Sequence, residues 1–596
     1  MADNSIVNDL AKALRGGRIP ITINTYFVYI AATAITSLLA WIGMVIILDS
    51  MRIGISIAGT IPDSTSRLIL LFLFIAVGCI GAYLYPFLIA SGRKNRIDAD
   101  LPYAITYMQA LSTTMTLYET IRQVALAKDL FGEMSHECGM IVRDIEVFGD
   151  DLTTAMRNVH TTTPSPSFSD FLNDLILLSE SGGSITQFFA ARARYYREVA
   201  EQDMQKNMKT TEIIAEVYVT AFVAGPIIAM IMIVAQQLSG NQSADMMPMI
   251  MIGVPVGSLA MIAILYILFP AEGMEIQQGK VEEQEFFVGP RLIHETDESR
   301  TYQKKIRSHR SLQAMLLKMK NPFKLYISDY TWGIIFGAIA ACAVGYLIND
   351  GYFNELAPGY GFQTGICALV IAGVLPLAVA YEGRALYIRR LERQIPEFLR
   401  MLADMKDIGM TIQNAIARIS RSQIGVLSTE LRVVSEELQS GAVLSSSLER
   451  MEERIGVLSV KRAISLVIKA SEVTDRIQEV MMIAISDFEY YLKLKQERFT
   501  SAFTYVAIVY LSFGVFLYTA YQLNISFLES FSELATIDSS GNIIDMFWVA
   551  ILLGGFSGIM AGQLSVNNPF AGLKHTIIFL LLTVIVFVVV IGGVAL

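Results

Sequence analysis

The sequence predicts an all-α, polytopic membrane protein with about nine transmembrane helices and two duplicated cytoplasmic helical bundles. Three observations carry that expectation. Of the 596 residues 53% are hydrophobic and only 17% charged, with a mean hydropathy of +0.49, a balance foreign to a water-soluble globule. Nine apolar runs are long enough to cross about 30 Å of hydrocarbon as helices: near 25–48, 68–91, 213–238, 246–269, 330–348, 364–388, 502–523, 545–563 and 575–595. The chain also repeats one order, an apolar pair, a polar stretch and a second apolar pair, which marks an internal duplication.

The duplication has a register. Leu101-Pro102 and Ile395-Pro396 each open a helical pattern after a basic cluster, 294 residues apart. Gly149-Asp150-Asp151-Leu152-Thr153-Thr154 corresponds to Gly441-Ala442-Val443-Leu444-Ser445-Ser446, and Ser179-Glu180 to Ser471-Glu472, both at an offset of 292.

The elements follow in order. Residues 1–24 form a cytoplasmic tail and 25–91 the first two spans. Lys12, Arg15 and Arg18 before the first run resemble a signal-peptide n-region, but the run is too long for an h-region and lacks a cleavage site, so it reads as a retained span. Residues 92–212 show apolar spacing near 3.6, at Ile105, Met108 and Leu111, at Ile121, Val124 and Ala125, and at Leu172, Leu175, Ile176 and Leu178. Breaks at Thr113-Thr114, Gly149-Asp150, the stretch 161–166 and Gly182-Gly183 divide this stretch into about six short helices, an antiparallel bundle. Spans 3 and 4 occupy 213–272, a basic linker 273–329, and spans 5 and 6 330–388. A second bundle over 389–501 breaks at Gly409, Gly441, Gly456 and near Val473-Thr474, and 502–596 holds spans 7–9. In each half the last bundle helix, with Tyr195-Tyr196 or Tyr490-Tyr491, runs straight into the next span. Such a joint would pass bundle movement to the membrane.

Lys and Arg set the orientation in the cell membrane. With the N-terminus in the cytoplasm only Arg52 and Arg67 fall in outside loops, which instead carry Asp49, Asp63, Asp350, Glu355, Glu529, Glu533 and Asp538, and nine spans leave Leu596 outside.

These arrangements carry a resemblance. Two helical bundles between paired spans, each opened by a proline and carrying a glutamate-centred turn before its last helix, resemble the type II secretion system F domain family, the inner-membrane platform proteins of type II secretion, type IV pili and archaella. Chain length, nine spans and the long basic linker look like its archaeal branch, the archaellum platform or its pilus relative. The family's turn is Gly-Glu-x-x-Gly-x-Leu. Here Ser179-Glu180-Ser181-Gly182-Gly183-Ser184-Ile185 departs by Ser for Gly and Ile for Leu, and Ser471-Glu472-Val473-Thr474-Asp475-Arg476-Ile477 also loses the glycine of a sharp turn. The resemblance implies a membrane platform coupling a cytoplasmic hexameric secretion ATPase to assembly, with or without rotation, of a pilin- or archaellin-like filament, the archaellum first and an adhesive pilus or secretion platform second. It also implies a homodimer. Candidate docking groups are Asp150, Asp151, Glu180, Gly182, Gly183, Glu436, Glu437 and Glu472. The alternative for Glu180 and Glu472 is helix termination and a local ion pair.

Other stretches are tied to mechanism by their spacing. Lys304, Lys305, Arg307, Arg310, Lys318 and Lys320 accompany Leu312, Met315, Leu316 and Met319 as a basic amphipathic helix, lying on the inner leaflet, flanking a span, or docking an acidic partner. Gly554, Gly558 and Gly562 form one smooth helix face for close packing, within the chain in preference to a dimer. Gly225-Pro226, the Gly253–Gly257 stretch and the Gly373–Pro376 stretch are candidate kinks.

The sequence also argues against other chemistries. Gly279-Lys280 is followed by Val281 and belongs to no phosphate loop. Glu212, Glu216, Glu272, Glu382 and Arg384 all lie near span ends, which counts against the rival transporter or export permease. No nucleophile elbow or His-Glu-x-x-His supports an enzyme. His136-Glu137-Cys138 is the one close His/Cys approach, too few ligands for a metal, and Cys79, Cys342, Cys367 and Cys138 form no CxxC pair. No catalytic, cofactor or metal site is expected, and no nucleic-acid partner beside the lipid bilayer; the net charge of −9 is spread along the chain.

Overall fold

The computed structural model describes residues 2–50, 63–238, 247–268, 332–422, 425–473, 477–524 and 539–591. Among them every regular element is a helix. By contacts the chain divides into two units, Met1–Ala200 with Leu466–Asp487, and Glu201–Ser465 with Phe488–Leu596.

The first unit starts with α1 (Ala2–Gly16), α2 (Ile23–Ser50) and α3 (Asp63–Leu111). α3 contains the second apolar run and the first bundle helix without a break, although Pro86 and Pro102 each remove a hydrogen bond from it. α4 (Leu117–Leu126), α5 (Lys128–Glu146), α6 (Leu152–Thr162), α7 (Pro166–Ser181) and the start of α8 (Ile185–Val219) complete the bundle. α4 begins in a capping box: the Glu119 amide donates to Thr116 Oγ1 at 3.3 Å and the Thr116 amide to Glu119 Oε2 at 3.0 Å. α7 has Ser165 as its N-cap and Pro166 in its first turn, and ends on Gly182 at φ 72°, a conformation that glycine adopts without Cβ strain. Ile105, Met108, Leu111, Ile121, Val124, Ala125, Leu172, Leu175 and Ile176 are all buried, as their spacing predicts; Leu178 is half-buried. Each such large apolar side chain contributes about 1.5–3 kcal/mol of burial. Phe171 lies at the centre, its ring 6.2–6.3 Å from those of Phe168, Phe188, Phe189 and Tyr196.

In the second unit α8 passes through a π turn at Thr220–Ala224 into α9 (Gly225–Leu238). The widened turn precedes Pro226, which has no amide hydrogen to donate and whose ring would crowd a regular α-turn carbonyl. α10 (Met247–Leu268), α11 (Trp332–Asn349), α12 (Tyr352–Leu356) and α13 (Gly361–Asp407) follow. α13 matches α3 in kind, 47 residues through Pro376 and Pro396. The bundle helices are α14 (Ile412–Ile419), α15 (Val426–Gln439), α16 (Leu444–Ile455), α17 (Leu458–Val473) and α18 (Ile477–Gln522). Gly409, Gly441 and Gly456 stand at positive φ at the breaks between them. α19 (Ser539–Val566) and α20 (Leu573–Val584), the latter continuing as a π segment over Ile585–Ile591, close the unit. Its apolar core gathers Tyr218, Val509, Phe513, Phe516, Phe547, Phe579 and Phe587.

Seven of the described helices are long and apolar enough to cross a membrane: Ile23–Ile42, Ile185–Ile233, Ile250–Ile267, Gly361–Asp407, Ile477–Gln522, Ile543–Val566 and Pro569–Ile591. Gly333–Asn349 is a shorter apolar helix, and the run near 68–91 lies within α3. The chain is a multi-pass membrane protein.

Equivalent contacts recur at the repeat offset. Within the first unit Ser165 Oγ donates to Asp98 Oδ1; within the second, 294 residues on, Ser459 Oγ donates to Glu392 Oε1 at 3.1 Å. Arg197 reaches Thr106 at 3.1 Å in the first unit, and the equivalent positions Glu489 and Arg400 form an ion pair in the second. Also within the second unit Lys493 Nζ meets Glu201 Oε1 at 2.9 Å. These two residues are 292 apart, the same place in each repeat. Tyr505 donates to the Met208 carbonyl at 2.8 Å, so contacts advance together along both helices and α8 and α18 run parallel here.

Candidate functional site

The acidic residues singled out by sequence are built into helix ends. Gly149 takes φ 75° to turn the chain, and Asp151 then caps α6, accepting the Thr154 amide at 3.2 Å. Hydrogen bonds from Thr154 hold its exposed carboxyl below the ordinary carboxylate range. Asp150 accepts from Asn158 Nδ2 at 3.4 Å. Glu180, in the last turn of α7, pairs with Arg157 of α6 at 3.4 Å, both more than half exposed. Such a pair contributes at most about 1 kcal/mol, which leaves the carboxylate available to a partner. Gly182 donates to the Leu178 carbonyl at 3.0 Å, and a side chain at Gly183 would press on Leu178 Cδ1 at 2.7 Å. The structure therefore bridges Glu180 to α6, the helix that Asp151 caps, while Gly182 and Gly183 close the end of α7.

Glu472, which groups with this unit by contacts, pairs with Lys469 one turn earlier at 3.2 Å. In the second unit Glu436 is exposed on α15. Its neighbour Glu437 is engaged by Arg450 at 2.8 Å and Arg454 at 3.2 Å. Burial pushes the Glu437 carboxyl up, but the two guanidiniums more than offset this and the net shift is downward.

Sequence reasoning missed the buried ionic groups beneath these surfaces. In the first unit Arg93 Nη2 lies 2.7 Å from Glu137 Oε1 and its Nε 3.0 Å from Glu133 Oε2, while Arg18 reaches the same Glu137 oxygen at 3.0 Å. In the second, Glu392 accepts from Lys495 at 2.6 Å and Tyr491 at 2.9 Å. Glu452, with its side chain 7% exposed, pairs with Lys461 at 3.3 Å and accepts from Ser465 Oγ at 3.3 Å. The one sequence signal for such groups was a charged residue on an otherwise apolar helix face.

Burial raises the Glu452 carboxyl from 4.5 to about 7 in spite of Lys461. The folded protein therefore holds this proton more tightly than the unfolded chain. Its contribution is fully present below pH 4.5, falls as pH rises toward 7, and is lost above that. The shift corresponds to on the order of 3 kcal/mol. Thermal unfolding of the micelle-solubilised chain at pH 5 and pH 8 is expected to show wild type losing stability across this window relative to Glu452→Gln; equal pH slopes would refute the assignment.

Gly554, Gly558 and Gly562 face other helices of the same chain, α18 at Gly554 and the turn into α20 further on. A Cβ at Gly554 would meet Phe513 Cζ at 3.1 Å and Phe579 Cβ at 3.4 Å; at Gly558 it would overlap Thr576, and at Gly562 the backbone of Gly572. Thr576 Oγ1 donates to the Gly555 carbonyl at 3.2 Å across this seam. Lys304, Lys305, Arg307, Arg310, Lys318 and Lys320 lie outside the described residues. His136, Glu137 and Cys138 do not converge: His136 is exposed, Glu137 is paired with arginines, and burial pushes the Cys138 thiol up. Among the described residues no three metal-ligating side chains form a group.

Comparison with known proteins places the repeats. Residues 108–233 and 398–523 each match the family model described as Type II secretion system (T2SS), protein F. The chain is 22% identical over 539 residues to an uncharacterized protein of Methanocaldococcus jannaschii, covering 88% of this chain and 84% of that one. It is 26% identical over 164 residues to the flagella accessory protein J of the same organism, covering 26% of this chain and 29% of that protein. No solved structure matches.

Proposed function

We propose, from the premise that this chain belongs to the type II secretion system protein F family and carries its domain twice, that it is the membrane platform of an archaeal type IV filament machine. The observation that supports this most is the join between each matched domain and the membrane. α3 and α13 enter the bundles as single helices from apolar runs, and α8 and α18 leave them for the next apolar runs. A helix transmits displacement along its axis with little loss, so force applied to a bundle reaches the spans. In this reading the cytoplasmic N-terminus, inward bundles and outward C-terminus follow the charge bias. A cytoplasmic hexameric secretion ATPase docks on the bundles, and its cycles move the platform so that pilin- or archaellin-like subunits leave the bilayer and join the filament. The platform itself is a non-enzymatic scaffold. A second copy of the chain pairs with it through surfaces other than the Gly554–Gly562 face, which its own helices cover.

The likeness to a flagella accessory protein supports the archaellum as the filament. A second reading has its own observation: the full-length likeness is to a different protein of an organism that also has the flagella accessory protein, which favours an adhesive pilus or secretion platform.

Asp150, Glu180 and Glu436 are offered as ATPase-docking groups because each is accessible and at most weakly paired. Reversing the three to lysine is expected to lower co-purification of the secretion ATPase about tenfold, since like charges across an interface cost several kcal/mol. Undiminished co-purification would end the docking assignment while leaving the family standing.

A further inference from the structure

The first unit holds an open cavity of about 380 Å³ beside its buried ionic cluster, lined by Arg18, Lys128, Ser135, His136 and Arg143 and by no carboxylate. Its volume falls in the range of about 300–1,000 Å³ typical of small-molecule sites. The walls are positioned from beneath. Arg93 donates to the Gly16 carbonyl at the end of α1, a cation at a helix C-terminus, and holds Glu137 and Glu133. Glu137 in turn holds Arg18 at 3.0 Å. Arg18 has φ 51°, an uncommon conformation for a residue with a Cβ. α5 changes direction at Gly132, where φ is 42°, and Ser135 Oγ ties the bend by donating to the Ala127 carbonyl at 2.8 Å.

Two of the cations are already matched, Arg18 with Glu137 and Arg143 with Asp144 at 2.7 Å, and each guanidinium keeps further donors. Lys128 and His136 line the cavity and have no hydrogen-bond or ion-pair partner among the described residues. The location adds an independent constraint. Arg18 precedes the start of α2 by five residues, and a Cβ on its neighbour Gly17 would lie 3.4 Å from Ile89 Cγ2, at the end of the second apolar run. The Arg18 wall of the cavity therefore lies by the polar ends of the first two apolar runs, where a bilayer crossed by those runs presents its phosphate headgroups.

We propose that this cavity binds the phosphate group of an anionic phospholipid and so anchors α1 and the start of the first bundle to the membrane surface. Free phosphate shares the chemistry; the position at the span ends favours the lipid. Nothing in this assignment depends on the filament or its ATPase.

The test uses the full chain in a neutral, phosphate-free detergent. Native mass spectrometry would compare retention of phosphatidylglycerol with that of diacylglycerol, for wild type and for Lys128→Glu/His136→Gln, whose altered side chains are exposed and have no partner among the described residues. Wild type is expected to retain phosphatidylglycerol at least about tenfold better than diacylglycerol, and the double variant to lose most of that preference. Equal retention of the two lipids, or a preference untouched in the double variant, overturns the proposal. A second arm adds inorganic phosphate and follows the unfolding midpoint. Stabilisation of wild type but not of the variant, without lipid preference, overturns the headgroup in favour of the free anion; capture of an acidic peptide with neither phosphate ligand overturns the phosphate site. Should the double variant not fold, Lys128→Gln alone is read the same way.

Discussion

Arg93→Ala is expected to destabilise the first unit by about 3–5 kcal/mol, the cost of removing one partner from a buried ion pair. The Arg93 side chain is 5% exposed and that of Glu137 1%, so water cannot replace the lost guanidinium. Three interactions disappear together: Glu133 loses its closest cation, Glu137 keeps only the more exposed Arg18, and the Gly16 carbonyl loses its donor. Glu137 Oε2 already has no hydrogen-bond partner, which makes the stranded carboxylate costlier still. Against a total stability of about 5–15 kcal/mol, the variant is expected to accumulate poorly and to expose α1 to limited proteolysis. Arg93→Met with Glu137→Leu should recover much of the loss, because replacing a buried pair together by apolar groups is often neutral. Wild-type unfolding and protease resistance in Arg93→Ala would show that the cluster does not hold α1.

That cluster also marks where reading from sequence stops. Periodicity places a residue on a face, so the buried set around Ile105, Val124 and Leu172 was legible, as were the turns at Gly149, Gly182, Gly409, Gly441 and Gly456, where positive φ requires glycine. Periodicity does not name partners. Arg93 and Glu137 stand 44 residues apart and Glu392 and Lys495 103 apart, pairings that only the packed bundle defines. The capping box at Thr116 and Glu119 is written in the sequence by its Thr-x-x-Glu spacing. The α5 bend at Gly132 was hidden because a lone glycine inside a helical pattern is usually tolerated. For the acidic candidates, sequence supplied the residues and the structure their local setting, with Glu180 bridged to α6 and Glu437 clasped by two arginines. The glycine seam was legible as a close approach; that it is covered by Gly572 and Thr576 of the same chain took the fold to reveal.

Deleting the gene is expected to abolish a surface filament altogether, because a platform joining two bundles to the membrane has no partial substitute in the assembly path proposed here. The duplicated domains make the same point chemically. Equivalent positions meet as Glu201 and Lys493, and equivalent contacts recur as Asp98 with Ser165 and Glu392 with Ser459, so both repeats keep one architecture while their surfaces have diverged. Electron microscopy of the deletion strain, with swimming scored in parallel and the intact gene returned as control, is the most direct test. Loss of filaments, restored by the returned gene, is the predicted result; loss of swimming with it assigns the archaellum, and loss of thin pili with swimming intact assigns the pilus. A deletion strain with every surface filament still in place would contradict the platform reading.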